Sequence, residues 1–223
     1  MKKVTYTLFL LLGGCTDTNQ PQQNILPLGD SITEGVPFGY RYPLYNMLSE
    51  NGNSFDFVGS HRNGSEQYPT GWDKDNEGHS GWMTGSIQEE LPNWLPQYSV
   101  DVALIHLGTN DAGEGDVEDS AASMLSIVEQ LRNKNPSVAI CLAQILPFGS
   151  QLEEEDEGLN EFVVKWNSRL ADLVAENTST SSPILLADMH SNFGDADLDD
   201  GVHPTAAGAE KMAIEWFECI SRL

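Results

Sequence analysis

Short apolar runs alternate with longer amphipathic stretches along this chain, and that alternation leaves few folds open to it. Asn24 to Gly29, Phe55 to Gly59, Asp101 to Gly108, Ser137 to Leu146 and Pro183 to Asp188 read as strands. Between them lie helical patterns. From Asn160 to Asn177, the residues Phe162, Val163, Trp166, Leu170, Leu173 and Val174 recur at three- and four-residue steps on one face. Val117 to Lys134 repeats the pattern through Met124, Ile127, Val128 and Leu131, and Thr205 to Ile220 gives a C-terminal helix. Strands that alternate with helices form a parallel sheet covered on both faces, so a doubly wound α/β domain is expected over residues 24–223. In such a fold the loops at the C-terminal strand ends bind ligands. A hydrophobic content of 39% is enough to build its core.

The residues before this domain read differently. Met1-Lys2-Lys3 and the apolar stretch to Leu12 have the form of a secretory signal, and Leu12-Gly13-Gly14-Cys15 resembles a bacterial lipoprotein box. Residues 1–15 are therefore expected to direct export, with Cys15 as the lipidation site and residues 16–23 as a polar tether. Any attachment to a membrane is expected through that lipid alone. Cys141 and Cys219 can each be small buried hydrophobes, and spacing leaves their pairing open.

Charge narrows the partners. Eleven Lys and Arg stand against 34 Asp and Glu, a formal charge of −23. Long-range repulsion disfavours nucleic acid, phospholipid and acyl-CoA, whereas a neutral ester escapes it. No cofactor or metal is expected. His61, His79, His106 and His190 lack paired metal-ligand spacing, and Asp195, Asp197 and Asp199 begin a calcium-like loop whose sixth position is Asp200 and whose twelfth is Ala206. Glu153 to Glu157 reads as a solvated, flexible charge run.

Three strand-end loops hold the residues with chemistry. The first strand runs into Gly29-Asp30-Ser31-Ile32-Thr33, the third into Gly108-Thr109-Asn110-Asp111, and Asp200-Gly201-Val202-His203-Pro204 precedes the last helix. A serine hydroxyl becomes a useful nucleophile when a neutral imidazole takes its proton, and a carboxylate that fixes the imidazole completes the unit. Ser31, His203 and Asp200 supply those parts. Asp199 is the competitor for Asp200 and is expected to face solvent. Ser80 does not head a nucleophile elbow, because Trp82 stands where Gly-x-Ser-x-Gly needs its second glycine.

The joint pattern resembles the SGNH (GDSL-type) hydrolase family: Gly29 to Thr33 fits its first block, Gly81 its second, Gly108 to Asp111 its third, and Asp200 to His203 its fifth. The resemblance implies a flavodoxin-like three-layer α/β/α sandwich with about five parallel strands. It makes Ser31 the nucleophile, His203 the base and then acid, and Asp200 the orienting carboxylate. It also implies an oxyanion hole from the backbone N–H groups of Ser31 and Gly81 and the amide of Asn110.

Gly39-Tyr40-Arg41, Asp56 to Ser60, Glu77 to Trp82 and Asp199 to Pro204 resemble the carbohydrate esterase family three group. That likeness implies an acetylxylan esterase acting on acetylated polysaccharide. The candidate substrate contacts are then Tyr40, Trp82 and Trp72 as an aromatic face for a sugar, each with core packing as the commoner alternative, and Arg41, whose role stays open between a substrate contact and a carboxylate partner. The alternatives are a lipase, lysophospholipase or thioesterase of the same superfamily, and a non-catalytic carbohydrate-binding envelope protein.

Overall fold

A computed structural model describes residues 21–113 and 115–223. The expected signal segment, Cys15 and most of the tether lie outside the described residues. Among the described residues seven strands form the sheet: β1 (Gln23–Gly29), β2 (Phe55–Phe57), β3 (His61–Arg62), β4 (Asp75–Gly78), β5 (Val102–His106), β6 (Ala139–Ala143) and β7 (Ile184–Ala187). Seven α-helices among the same residues accompany them: α1 (Ser31–Glu34), α2 (Arg41–Glu50), α3 (Thr84–Trp94), α4 (Val117–Lys134), α5 (Ser150–Glu155), α6 (Leu159–Asn177) and α7 (Ala206–Ile220).

Strands β2, β1, β5, β6 and β7 pair in parallel in that order, as a flavodoxin-like domain requires. About five strands were expected, and the sheet has two more. β4 continues the β2 edge of β1, with Leu28 and Gly29 beside Glu77 and Gly78, and β3 pairs antiparallel to β4.

Strand alternation divides the core into two layers. Leu26, Ala103, Ile105, Ile140 and Leu142 pack against α3, α4 and α6, while Ile25, Val102, Leu104, Cys141 and Ala143 face α2 and α7. The helix after β1 therefore goes to one face and the helix after β5 to the other. The crevice between those strand ends is the switch point, where ligands bind in sheets of this kind.

Glu154 to Glu157 are exposed, as expected of a solvated charge run, but the run is anchored at its start. Its first half lies in α5, and the Glu153 carboxylate accepts hydrogen bonds from the N–H groups of Gly158 (3.1 Å) and Asn160 (2.7 Å), satisfying backbone donors at the start of α6.

Cys141 on β6 and Cys219 on α7 form a disulfide across a sequence separation of 78 residues. Replacing both with alanine is expected to lower the unfolding free energy by about 4.5 kcal/mol, the chain-entropy value for a closed loop of this size. Urea unfolding of the two proteins under oxidising conditions measures the difference, and equal midpoints at equal slope would contradict it.

Candidate active site

The turn after β1 holds Ser31 on rigid backbone. Asp30 is fully buried and its Oδ1 accepts the Ile32 N–H at 3.0 Å, capping the short helix that Ser31 begins. Burial pushes the Asp30 carboxyl up to about 6, against the lowering effect of the Ile32 N–H.

The loop before α7 is folded back on itself. Asp199 N–H donates to the His203 carbonyl at 2.8 Å, Thr205 N–H to the Asp197 carbonyl at 2.7 Å, and Leu198 and Pro204 form an antiparallel bridge. Within that turn Asp200 Oδ1 accepts the N–H groups of Val202 (3.0 Å) and His203 (2.8 Å), the local bonding to which a short Asp side chain is suited. Asp200 Oδ2 lies 2.8 Å from His203 Nδ1, and His203 Nε2 lies 2.8 Å from Ser31 Oγ. Partial burial raises the Asp200 carboxyl, but the hydrogen bonds from His203 and Val202 outweigh it and hold the group below the usual carboxylate range. Asp200 therefore stays charged beside the ring. Asp199 is exposed, as expected of the competitor.

Gly81 sits in a turn closed by the Trp82 N–H bonding to the His79 carbonyl at 3.1 Å. At φ +79° it occupies the third position of that turn, which a residue with a Cβ adopts only with strain. Its own N–H takes no part in the closing bond. The His79 N–H donates to the Gly29 carbonyl at 2.9 Å, which moors the turn two residues before Ser31.

Asn110 reaches the same turn from the loop after β5: its Nδ2 donates to the Trp82 carbonyl at 3.0 Å, and among the described residues the second amide hydrogen has no partner. Behind it the Leu107 carbonyl accepts the Trp166 indole N–H at 3.1 Å, and a Cβ on Gly108 would fall 2.2 Å from that indole nitrogen. Only glycine lets the ring brace this loop. Asp111, whose role no local sequence pattern announces, is buried and ties the two loops together. It accepts from Thr84 N (3.1 Å), Thr84 Oγ1 (2.6 Å) and Ser120 Oγ (2.7 Å).

Three candidate substrate contacts are elsewhere. Tyr40 is wholly buried against Trp216, with its hydroxyl 3.1 Å from Thr33 Oγ1. Arg41 is 1% exposed, and its guanidinium donates to four main-chain carbonyls: Thr33, Glu34, Asn63 and Lys74. Burial lowers its pKa to about 10. Arg41 fastens the segment after Ser31 to the 63–74 loop and has no surface to offer a sugar. Trp72 is buried beside it, with Arg41 5.5 Å from its ring centroid. Trp82 is half-buried next to Gly81 and stacks on His79. Ser80 donates its hydroxyl to the Glu34 carboxylate.

A strand-end serine, an imidazole on its hydroxyl and a second pair of loops carrying amide donors form one constellation at the switch point. The model of the GDSL-like lipase/acylhydrolase family matches residues 28–211, which include all of these loops. The chain belongs to that family.

Similarity extends to a curated esterase and to several solved esterase structures. A multidomain esterase from Ruminococcus flavefaciens is 30% identical over 220 residues, covering 88% of this chain. The chain spans 28% of that relative's length. A carbohydrate esterase family 3 structure from Talaromyces cellulolyticus superposes with a TM-score of 0.81 at 28% identity, covering 90% of this chain and 97% of the other. A Clostridium thermocellum family 3 carbohydrate esterase gives 0.74 at 29% identity, over 88% and 94% of the two chains. An acetyl esterase mutant with an acetate ion gives 0.80 at 27% identity, over 90% and 97%.

Proposed function

We propose that this chain is a serine esterase that removes acetyl groups from acetylated polysaccharide such as xylan, through an acetyl-enzyme intermediate. The observation that carries this reading is the unbroken hydrogen-bonded line from Asp200 through His203 to Ser31. Ser31 Oγ attacks the acetyl carbonyl carbon as its proton passes to His203 Nε2. In this reading the oxygen of the tetrahedral intermediate is met by the N–H groups of Ser31 and Gly81 and an amide hydrogen of Asn110, and donors fixed in advance stabilise the developing charge without reorganisation. As the intermediate collapses, His203 returns the proton to the departing sugar hydroxyl. Water then attacks acetyl-Ser31, again giving a proton to His203, and acetate leaves as Ser31 recovers its hydroxyl.

Likeness to family 3 carbohydrate esterases and to an acetyl esterase supports an acetyl substrate. So does the surface. Among the described residues, Val36, Val164, Ile214 and Leu223 are the exposed large apolar side chains, spread over separate segments. A lipid-facing enzyme would group such residues into a patch. The charge of −23 also favours a neutral polymer. We read the enzyme as exported, to an envelope-anchored or secreted form, and the Cys141–Cys219 disulfide supports an oxidising compartment.

Acetate release from acetylated xylan, measured beside 4-nitrophenyl esters of increasing chain length, tests the reading. Release from xylan together with kcat/KM falling beyond the acetyl ester is the expected result. Cleavage that favours long acyl chains with none of xylan would move the chain to the lipase side of its family, and cleavage of no ester would favour the carbohydrate-binding alternative.

A further inference from the structure

The turn that presents Gly81 is exposed at its tip, with Ser80 and Gly81 both open to solvent. A donor on a loose turn would have to be ordered during each reaction, whereas one held in advance stabilises charge at no such cost. Beneath the tip lies an unusual foundation. Glu77, the penultimate residue of β4, is wholly buried, and its two carboxylate oxygens accept hydrogen bonds from Ser60 N–H (2.9 Å), Ser60 Oγ (2.5 Å) and Tyr98 OH (2.6 Å). Its fourth partner is His79 Nε2 at 2.8 Å. Burial raises the Glu77 carboxyl, but the bonds from His79, Ser60 and Tyr98 overcome that and hold it below its ordinary range.

His79 is 7% exposed. Its ring lies flat on Trp94, with centroids 4.2 Å apart and 9° between planes, and also contacts Trp82 (4.7 Å) and His61 (4.3 Å). Its main chain does the mooring described above, donating to Gly29 and accepting from Trp82. One residue thus fixes the turn on the nucleophile's strand while its side chain is clamped from below. A carboxylate is costly to bury, and hydrophobic side chains would fill the same space more simply. The pair supplies direction.

We infer that His79, held by Glu77, is the positioning residue of the oxyanion hole, setting where the Gly81 N–H points relative to Ser31. This rests on the esterase reading above. Displacement of a reacting group by about 1 Å can cost on the order of 10²-fold in rate.

The experiment is steady-state hydrolysis of 4-nitrophenyl acetate by the wild-type chain, His79→Ala, His79→Gln and Glu77→Gln, with a thermal melt for each. In His79→Ala, kcat is expected to fall roughly ten- to a hundredfold while KM stays within about twofold, because the contact matters only as charge develops. Glutamine can still donate to Glu77, so His79→Gln is expected to recover most of the lost kcat. Glu77→Gln keeps the shape and weakens the clamp, and a kcat loss between the two is expected. Wild-type kcat in a folded His79→Ala protein overturns the proposal, as does a KM effect without a kcat effect. Should His79→Ala not fold, Tyr98→Phe removes one of Glu77's donors with minimal change in volume. A kcat drop of about threefold at constant KM then supports the proposal, and no change overturns it. Absence of any esterase activity in the wild-type chain would instead be a failure of the esterase reading, which separates the two.

Discussion

Ser31→Ala is expected to lower kcat on 4-nitrophenyl acetate by about 10⁶-fold, the loss typical when a nucleophile is removed from a Ser-His-Asp unit. The substitution deletes one oxygen. Asp30 still caps α1 through the Ile32 N–H, and His203 keeps its bond to Asp200, so the fold and the amide donors should persist. A residual acceleration of about 10³ to 10⁴ over water would then come from binding and the oxyanion donors alone. Burst kinetics provide a second readout, because an acetyl-enzyme cannot form without Ser31 Oγ. Activity within tenfold of wild type would remove Ser31 from the mechanism and leave the observed hydrogen bond to His203 without a catalytic meaning.

Asp200→Asn is expected to cost on the order of 10³ to 10⁴ in kcat. Asparagine can still accept the Val202 and His203 N–H groups through its carbonyl oxygen, so the turn should keep its shape. Its amide, however, would turn a donor toward His203 Nδ1. That favours the tautomer with the proton on Nε2, where it cannot accept from Ser31, and it also removes the charge that stabilises the imidazolium. Asp199→Asn is the matched control: its side chain is exposed, and activity should stay near wild type. Equal losses in the two variants would mean that general charge near the loop, rather than the Asp200 contact, supports the reaction.

Legibility in the sequence followed the kind of force holding each element. β1, β5, β6 and β7 are built from apolar residues in the core, and α4, α6 and α7 carry apolar stripes, so periodicity located all of them. β4 reads Asp-Asn-Glu-Gly and has no such pattern. It is a strand because Asn76 and Glu77 satisfy their polar atoms through partners distant in sequence, which no local signal announces. Helix α3 carries Pro92 and opens on Thr84-Gly85-Ser86, features that usually mark loops. Short-range chemistry was visible: Asp200 and His203 bond within one turn, and Ser31 follows its strand directly. The anchoring role of Arg41 had no such local signal. Two of its four carbonyl partners, Asn63 and Lys74, are 22 and 33 residues away. The Glu77 clamp draws on Ser60 and Tyr98 across 17 and 21 residues and was invisible for the same reason.

The Cys141–Cys219 bond also divides the chain topologically. Residues 141–219 become a covalent ring that contains Asp200 and His203, while Ser31, Gly81 and Asn110 lie on the open N-terminal part. A protease that cuts once inside this ring, for instance in the exposed stretch around residues 191–196, releases nothing. The nicked enzyme stays one molecule, with α7 tethered to β6 across the break. In an environment rich in proteases, the linkage would let the segment that carries Asp200 and His203 stay attached after damage to its own loop.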